Sequence, residues 1–424
     1  MKEQLLQING ADVREKLVPI PMPESHVGAI RADLSGTVFG QDEALQVVAQ
    51  RVGIIESGLS PRDKPLGAIF LLGGTGTGKT ETSHSLAKRW FGDPESERLK
   101  IINCSEFTQP HTITRLVGSP PSYVGWRESA ALPHDLINAK DKNGNPQRTI
   151  VVLDEFEKAH PDVHQLFLGA LDKGRLDARN GEKGIVPLDF RNTLFLFTSN
   201  ISADKIQAIN DQRQIGFASD TPAAEKSRQI SAAVKEEMNQ AFSPEFRNRL
   251  TDVVVYQTLE RDSGVYEQIF LKFMQRSNTD LAYRLKGHSP YLMATRELIA
   301  SVIDSIDTTY GARDLSRAIE KQILSRFTDL LMGMDLSGKV VIAHCDDDGT
   351  VGFYTDNQPY TVAYLGEEWS VTQELETTTG TSHGSQTTNQ EDPNDGTRYL
   401  HEDINTDGAR EKDKGDGHEK PPKL

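Results

Sequence analysis

One stretch of eight residues constrains this chain more than any other. Gly73-Gly74-Thr75-Gly76-Thr77-Gly78-Lys79-Thr80 directly follows the apolar run Ala68-Ile69-Phe70-Leu71-Leu72. It fits the pattern of Gly, four residues, Gly, Lys, then Ser or Thr, whose backbone amides close around a polyphosphate. The run before it has the length and composition of a buried parallel strand, and Glu81 to Trp90 reads as a helix. Glycines let the amides approach phosphate without a Cβ in the way. Lys79 is placed to neutralise the β- and γ-phosphates, and the Thr80 hydroxyl to ligate Mg²⁺. The candidate nucleotide-binding set therefore runs from Gly73 through Glu81, with ATP and Mg²⁺ as the expected ligands.

Four further apolar runs surround this loop in sequence. They are Leu99 to Asn103, Thr149 to Glu155, Thr193 to Asn200, and Val253 to Tyr256. Continuous apolar strands alternating with helical segments predict an α/β fold with a five-stranded parallel sheet covered on both faces. Ligands of such sheets bind beyond the carboxyl ends of the strands. Asp154 and Glu155 fall at one of those ends, and Asn200 at another. Asp154 is expected to hold Mg²⁺ opposite Thr80, and Glu155 to orient or deprotonate an attacking water. Two acids in a row can also be a solvated helix cap, but here Ile150-Val151-Val152-Leu153 delivers both, which favours the chemical reading. Asn200 can hydrogen-bond the γ-phosphate or the water; alone it would be an ordinary turn asparagine.

Bulk composition narrows the class. A chain of 424 residues is long enough for two or three domains. No apolar run is long enough to cross a bilayer, and no secretory signal pattern opens the sequence, so a cytoplasmic location is expected, with no membrane partner. With 47 Lys plus Arg against 62 Asp plus Glu, the net charge of −15 argues against a nonspecific nucleic-acid binder. Two cysteines, Cys104 and Cys345, indicate neither a disulfide framework nor a cysteine zinc site. His160 and His164 are four apart, but Pro161 stands where a metalloprotease helix needs Glu, so no metal is assigned to them.

Taken together, the motifs resemble the second ATPase module of the Clp family of hexameric AAA+ protein unfoldases and disaggregases. The matching stretches, in order, include Val38-Phe39-Gly40-Gln41-Asp42, the phosphate loop and Leu153 through Val163. They continue with Leu171 through Leu176, Asp189 through Thr193, Thr198-Ser199-Asn200, Phe242 through Leu250 and Tyr310 through Leu315. The resemblance implies an AAA+ P-loop NTPase followed by a small, mainly helical lid domain with a short β element. The expected division is an arm or linker over 1–36, the large nucleotide-binding domain over 37–258, the lid over 259–365 and an acidic tail over 366–424. That tail carries 14 acidic and six basic residues, a balance of −8, and its polar composition predicts disorder.

The same resemblance implies roles for single residues. Val38 and Phe39 would pack near adenine, Asn200 would be a first sensor of the γ-phosphate and Arg313 a second. Arg249 would be a finger reaching the neighbouring subunit's nucleotide, with Arg247 an adjacent candidate that spacing does not separate from it. Tyr123 and Val124, in the loop Gly118 to Trp126, resemble a pore loop that grips extended polypeptide, an aromatic contact tolerant of substrate sequence. Asn180 to Pro187 is longer than the family's usual second pore loop. Ile215-Gly216-Phe217 stands where protease-coupled members carry a tripeptide that docks on a ClpP-like peptidase; the two apolar side chains either serve that docking or fold back on their own domain. The implied activity is ATP-dependent unfolding by a homo-oligomeric ring, in all expectation a hexamer, threading unfolded or tagged proteins, with or without an adaptor. No stretch resembles the family's first ATPase module, its amino-terminal substrate domain or its coiled-coil middle domain, from which a single-tier ring or an adaptor-dependent one is expected. The alternative is a nucleotide-switched remodelling factor that acts on a specific complex without threading.

Overall fold

The apolar runs emerge as strands with almost the expected bounds. The computed structural model describes residues 7–8, 11–12, 25–118, 130–180, 184–211, 223–286, 289–346, 350–355, 360–365 and 368–373. A two-residue antiparallel ladder of β1 (Gln7–Ile8) and β2 (Ala11–Asp12) comes first, then helices α1 (His26–Ser35) and α2 (Asp42–Glu56). β3 (Gly67–Leu72), α3 (Lys79–Phe91) and β4 (Leu99–Asn103) follow. Two short helices, α4 (Ile113–Val117) and α5 (His134–Ile137), lead to β5 (Thr149–Asp154) and α6 (Pro161–Lys173). A hairpin of β6 (Arg175–Asn180) and β7 (Gly184–Asp189) precedes β8 (Thr193–Ser199). Helices α7 (Ala203–Asp211), α8 (Ala223–Ala241) and α9 (Pro244–Arg247) bring the chain to β9 (Asp252–Val255).

The main sheet has the order β4-β5-β8-β3-β9, and every pairing in it is parallel. Both β3 and β8 are buried along their whole length. Alternate residues supply two cores, because successive side chains point to opposite faces. Phe70, Val151, Phe195 and Phe197 enter one core, which α6 and α8 cover. Ile69, Leu71, Ile150, Val152 and Leu196 enter the other, against α1, α2 and α3. Because the strands run the same way, the residues after their carboxyl ends meet at one edge: Gly73 after β3, Asp154 at the end of β5, and Asn200 after β8.

The amino-terminal segment contributes more than a linker. Ser25 caps α1, its side chain accepting from the Gly28 amide, and Ile30 and Leu34 are fully buried beside α2. Two apolar residues four apart give little periodicity, although they fill the groove.

From Leu259 onward the chain builds a third core around α10 (Val265–Arg284), β10 (Tyr291–Ala294), α11 (Arg296–Ser305), α12 (Ala312–Ile319) and α13 (Ser325–Gly333). β11 (Val340–Cys345) and β12 (Val351–Thr355) form an antiparallel pair, and β10 adds to it as a parallel strand. The buried Asn278 carboxamide holds β10 in place, donating to the Leu292 carbonyl and accepting from its amide, both at 2.9 Å. Between α12 and α13, Glu320–Leu324 forms a π-turn. Leu315, Ile319, Ile323 and Phe327 are all buried at a constant spacing of four. Each such step drifts about 40° around an ideal α-helix; one wide turn restores the register and returns Phe327 to the core.

A correction concerns the carboxyl-terminal tail. Glu368–Gln373, β14, lies inside the segment whose composition predicts disorder, yet it pairs antiparallel with Tyr360–Leu365, β13. The register sets Val362 opposite Val371 and Tyr364 opposite Trp369. Such β-branched and aromatic residue types favour strands, a local signal that the average composition of the segment 366–424 conceals. The rest of the tail, from residue 374, lies outside the described residues.

Candidate functional site

The phosphate loop is shaped by backbone that only glycine adopts easily. Gly73, Gly76 and Gly78 have φ of 150°, 72° and 103°. A Cβ on Gly73 would stand 2.7 Å from the Tyr256 carbonyl, and one on Gly78 would stand 2.9 Å from Val38 Cγ1. Tyr256 is the wedge beneath the loop: it is fully buried, its amide donates to the Leu72 carbonyl at 2.6 Å, and its hydroxyl lies 2.7 Å from Thr82 Oγ1. On the other side, the Ala312 amide donates to the Gly76 carbonyl at 3.1 Å, so the loop is braced from the third core as well.

Lys79 opens α3 and points back under the loop. Its ammonium donates to the Gly73 carbonyl (2.7 Å), the Gly74 carbonyl (2.6 Å) and Asn200 Oδ1 (2.8 Å). All three acceptors are neutral, and burial pulls the Lys79 pKa down to about 8. A buried cation without a hydrogen-bonded anion is costly, and an incoming phosphate would remove that cost.

Thr75 to Glu81, Asp154, Glu155, Asn200 and Arg313 converge on one cleft of about 220 Å³. Thr198, which has no role of its own in the sequence pattern, organises its acidic wall: its hydroxyl donates to Asp154 Oδ1 and accepts from the Glu155 amide at 3.1 Å. Its only sequence signal is a hydroxyl at the end of an apolar strand. Glu155 has φ 53°, a left-handed conformation uncommon for a residue with a Cβ, and this turns the chain out of β5 into the cleft. Glu157 Oε1 accepts from the Asn200 amide at 3.3 Å, holding the tip of β8 against the same wall. Cys104, just after β4, is buried beside these acids, and burial pushes its thiol well above the ordinary range.

An adjoining cleft of about 540 Å³ shares Gly76, Thr77, Gly78 and Glu81 with the first. Val38 and Phe39 line it on one side, and Ile269, Phe273 and Leu324 on another. A polar cleft continuous with a larger apolar one has the shape needed for a polyphosphate attached to a flat base. Thr80 and Asp154 present a hydroxyl and a carboxylate on the smaller cleft, the oxygen donors that suit Mg²⁺.

Arg249 lines neither cleft. Its Nη1 donates to the Glu245 carbonyl at 2.8 Å, and its Nε lies 3.5 Å from Asp172 Oδ1. That Nε is buried and makes no hydrogen bond among the described residues. Arg247 is engaged elsewhere, donating to Asn239 Oδ1 and to the Phe242 carbonyl. Tyr123, Val124, Ile215, Gly216 and Phe217 lie outside the described residues. His160 caps α6, accepting from the Asp162 amide, and His164 packs among Phe156 and Phe242 with its Nε2 on the Phe156 carbonyl.

Residues 64–253 match the family described as AAA domain (Cdc48 subfamily). The "Negative regulator of genetic competence ClpC/MecB" of Bacillus subtilis (strain 168) is 34% identical over 316 residues, 74% of this chain and 36% of the relative. A "Chaperone protein ClpB" of Helicobacter hepaticus is 37% identical over 304 residues, 72% of this chain and 31% of the relative. An "ATP-dependent Clp protease ATP-binding subunit ClpC" of Staphylococcus saprophyticus is 34% identical over 317 residues, again 74% and 36%. The chain thus spans about a third of the length of these curated relatives.

Proposed function

Because the chain belongs to the Clp family of AAA+ ATPases, we propose that it is an ATP-dependent protein unfoldase or chaperone that works as a homo-oligomeric ring, of six protomers. The observation that carries this reading is the buried Lys79 ammonium, held only by neutral oxygens where Asp154, Glu155, Asn200 and Arg313 converge. In this reading Gly73 to Glu81 cradle the phosphates, and Val38 and Phe39 receive the adenine. Thr80 and Asp154 would hold Mg²⁺, which when bound supplies positive charge to the β- and γ-phosphates. Glu155 takes the proton of the attacking water, and Asn200 and Arg313 fix the γ-phosphate. Arg249 acts in trans: its guanidinium, just after α9, completes a neighbour's site. The segment 259–365 serves as the lid, since Ala312 and Arg313 already bear on the phosphate loop.

Substrate handling extends the proposal. Tyr123 and Val124 grip an extended polypeptide in the pore, and Ile215-Gly216-Phe217 is the candidate contact for a ClpP-like peptidase. An unfolded or tagged protein is the expected substrate. The test is sizing of Glu155→Gln and wild type in ATP with a labelled unfolded protein. Glu155→Gln should form a ring that retains the labelled protein, whereas a monomer under every nucleotide condition would overturn the reading. A Tyr123→Ala variant that keeps all remodelling activity would favour action without threading.

A further inference from the structure

Glu155 is tied twice to a single neighbour. The Lys158 amide donates to the Glu155 carbonyl at 2.9 Å, closing a short 3₁₀ turn over Phe156–Lys158. The Lys158 ammonium, three residues on, lies 2.8 Å from Glu155 Oε2. Glu155 lines the phosphate cleft and Lys158 does not, so the hydrogen bond ties the carboxylate to a group outside the cleft lining. The other ammonium on the cleft, Lys79, gives its three hydrogen bonds to Gly73, Gly74 and Asn200.

We infer that Lys158 is a positioning residue that restrains Glu155, holding the base away from the water until the loaded site draws it in. This rests on the reading of Glu155 as the base for ATP hydrolysis. A carboxylate hydrogen-bonded to an ammonium has lone pairs aimed at that cation rather than at a water in the cleft. Phosphate and its counter-ion entering the cleft compete with Lys158 for that carboxylate. The side chains of Glu155 and Lys158 are 29% and 50% exposed, so the tether is weak enough to break in each cycle.

The effect has a direction that damage to the fold does not mimic. Steady-state ATP hydrolysis of the full chain, without added polypeptide, is compared for wild type, Lys158→Met, Lys158→Gln, Lys158→Arg, Glu155→Gln and the Glu155→Gln/Lys158→Met double variant. Both neutral variants should raise kcat about two- to fivefold, the range a half-exposed ion pair supports, with KM unchanged. Lys158→Arg should behave as wild type, and the double variant should be as inactive as Glu155→Gln. If Glu155→Gln is inactive but neither neutral variant exceeds wild type, the inference alone is overturned. Full activity in Glu155→Gln overturns it together with the hydrolytic reading.

Discussion

A half-buried carboxylate and a buried ammonium in this molecule have been treated in opposite ways. Glu56, at the end of α2, accepts from Arg89 Nε and Nη2 (both 2.8 Å) and Trp90 Nε1 (2.9 Å), and lies 2.7 Å from His26 Nε2. Burial raises its pKa, but these donors, Arg89 foremost, outweigh it and hold the carboxyl at about 2. Lys79 is more deeply buried, yet its hydrogen-bond partners are two carbonyls and an amide oxygen, and burial lowers its pKa to about 8. One network is closed by ion pairs within the chain; the other has carboxylates nearby but no hydrogen-bonded anion. A structural ion pair supplies its own counter-charge, whereas a binding site leaves that place for the ligand. Arg249 falls between the two: its Nε is buried without a hydrogen bond among the described residues, although the Asp172 carboxylate lies 3.5 Å away.

The largest effect should come from that arginine. If its missing partner is a phosphoryl group on a neighbouring subunit, Arg249→Ala lowers kcat by about 10³ and leaves nucleotide affinity within about twofold. Steady-state hydrolysis and titration with a fluorescent nucleotide separate the two quantities. Unchanged kcat with weakened binding would place Arg249 with the structural charges instead.

Glu56 provides the opposite test. Its folded pKa of about 2 lies below the ordinary 4.5, so the charged form stabilises the fold. That contribution is fully present above about pH 4.5 and is lost as the pH falls through about 2. Glu56→Gln should cost on the order of 2 to 3 kcal/mol at neutral pH, with the gap from wild type closing toward pH 2 in urea unfolding. A gap independent of pH would mean that shape, not charge, joins α1, α2 and α3.

The smallest effect concerns Lys79. With a free-state pKa of about 8, the empty site loses its charge as the pH rises past that value, and phosphate must recover the proton on binding. Affinity for nucleotide should fall about tenfold between about pH 7 and 9. Calorimetry in two buffers of different ionisation heat should show proton uptake at the higher pH. Equal affinity with no uptake would show that Lys79 is as well compensated as Glu56.

Much of this contrast is visible in the sequence on one side only. The phosphate loop, Asp154, Glu155 and Asn200 are legible because each follows an apolar strand, and parallel strands deliver their carboxyl ends to one edge. Thr198, Lys158 and Tyr256 are not: a strand hydroxyl, a charged residue in a turn and an aromatic after β9 are ordinary until their partners are known. The four donors around Glu56 come from two other helices, α1 and α3, and no local pattern announces them.

By itself, then, the order of residues determined the strands, their alternation between two cores and the identity of the groups at the cleft, because these depend on periodicity and on neighbours in the chain. Only the tertiary structure decided which charges are compensated and which wait for a partner. The acceptors of Lys79 come from its own loop and from Asn200, 121 residues away, and the bracing of Gly76 comes from Ala312. Whether a buried charge is satisfied depends on what folding brings within about 3 Å of it, and contacts made across such separations leave no trace in a linear pattern.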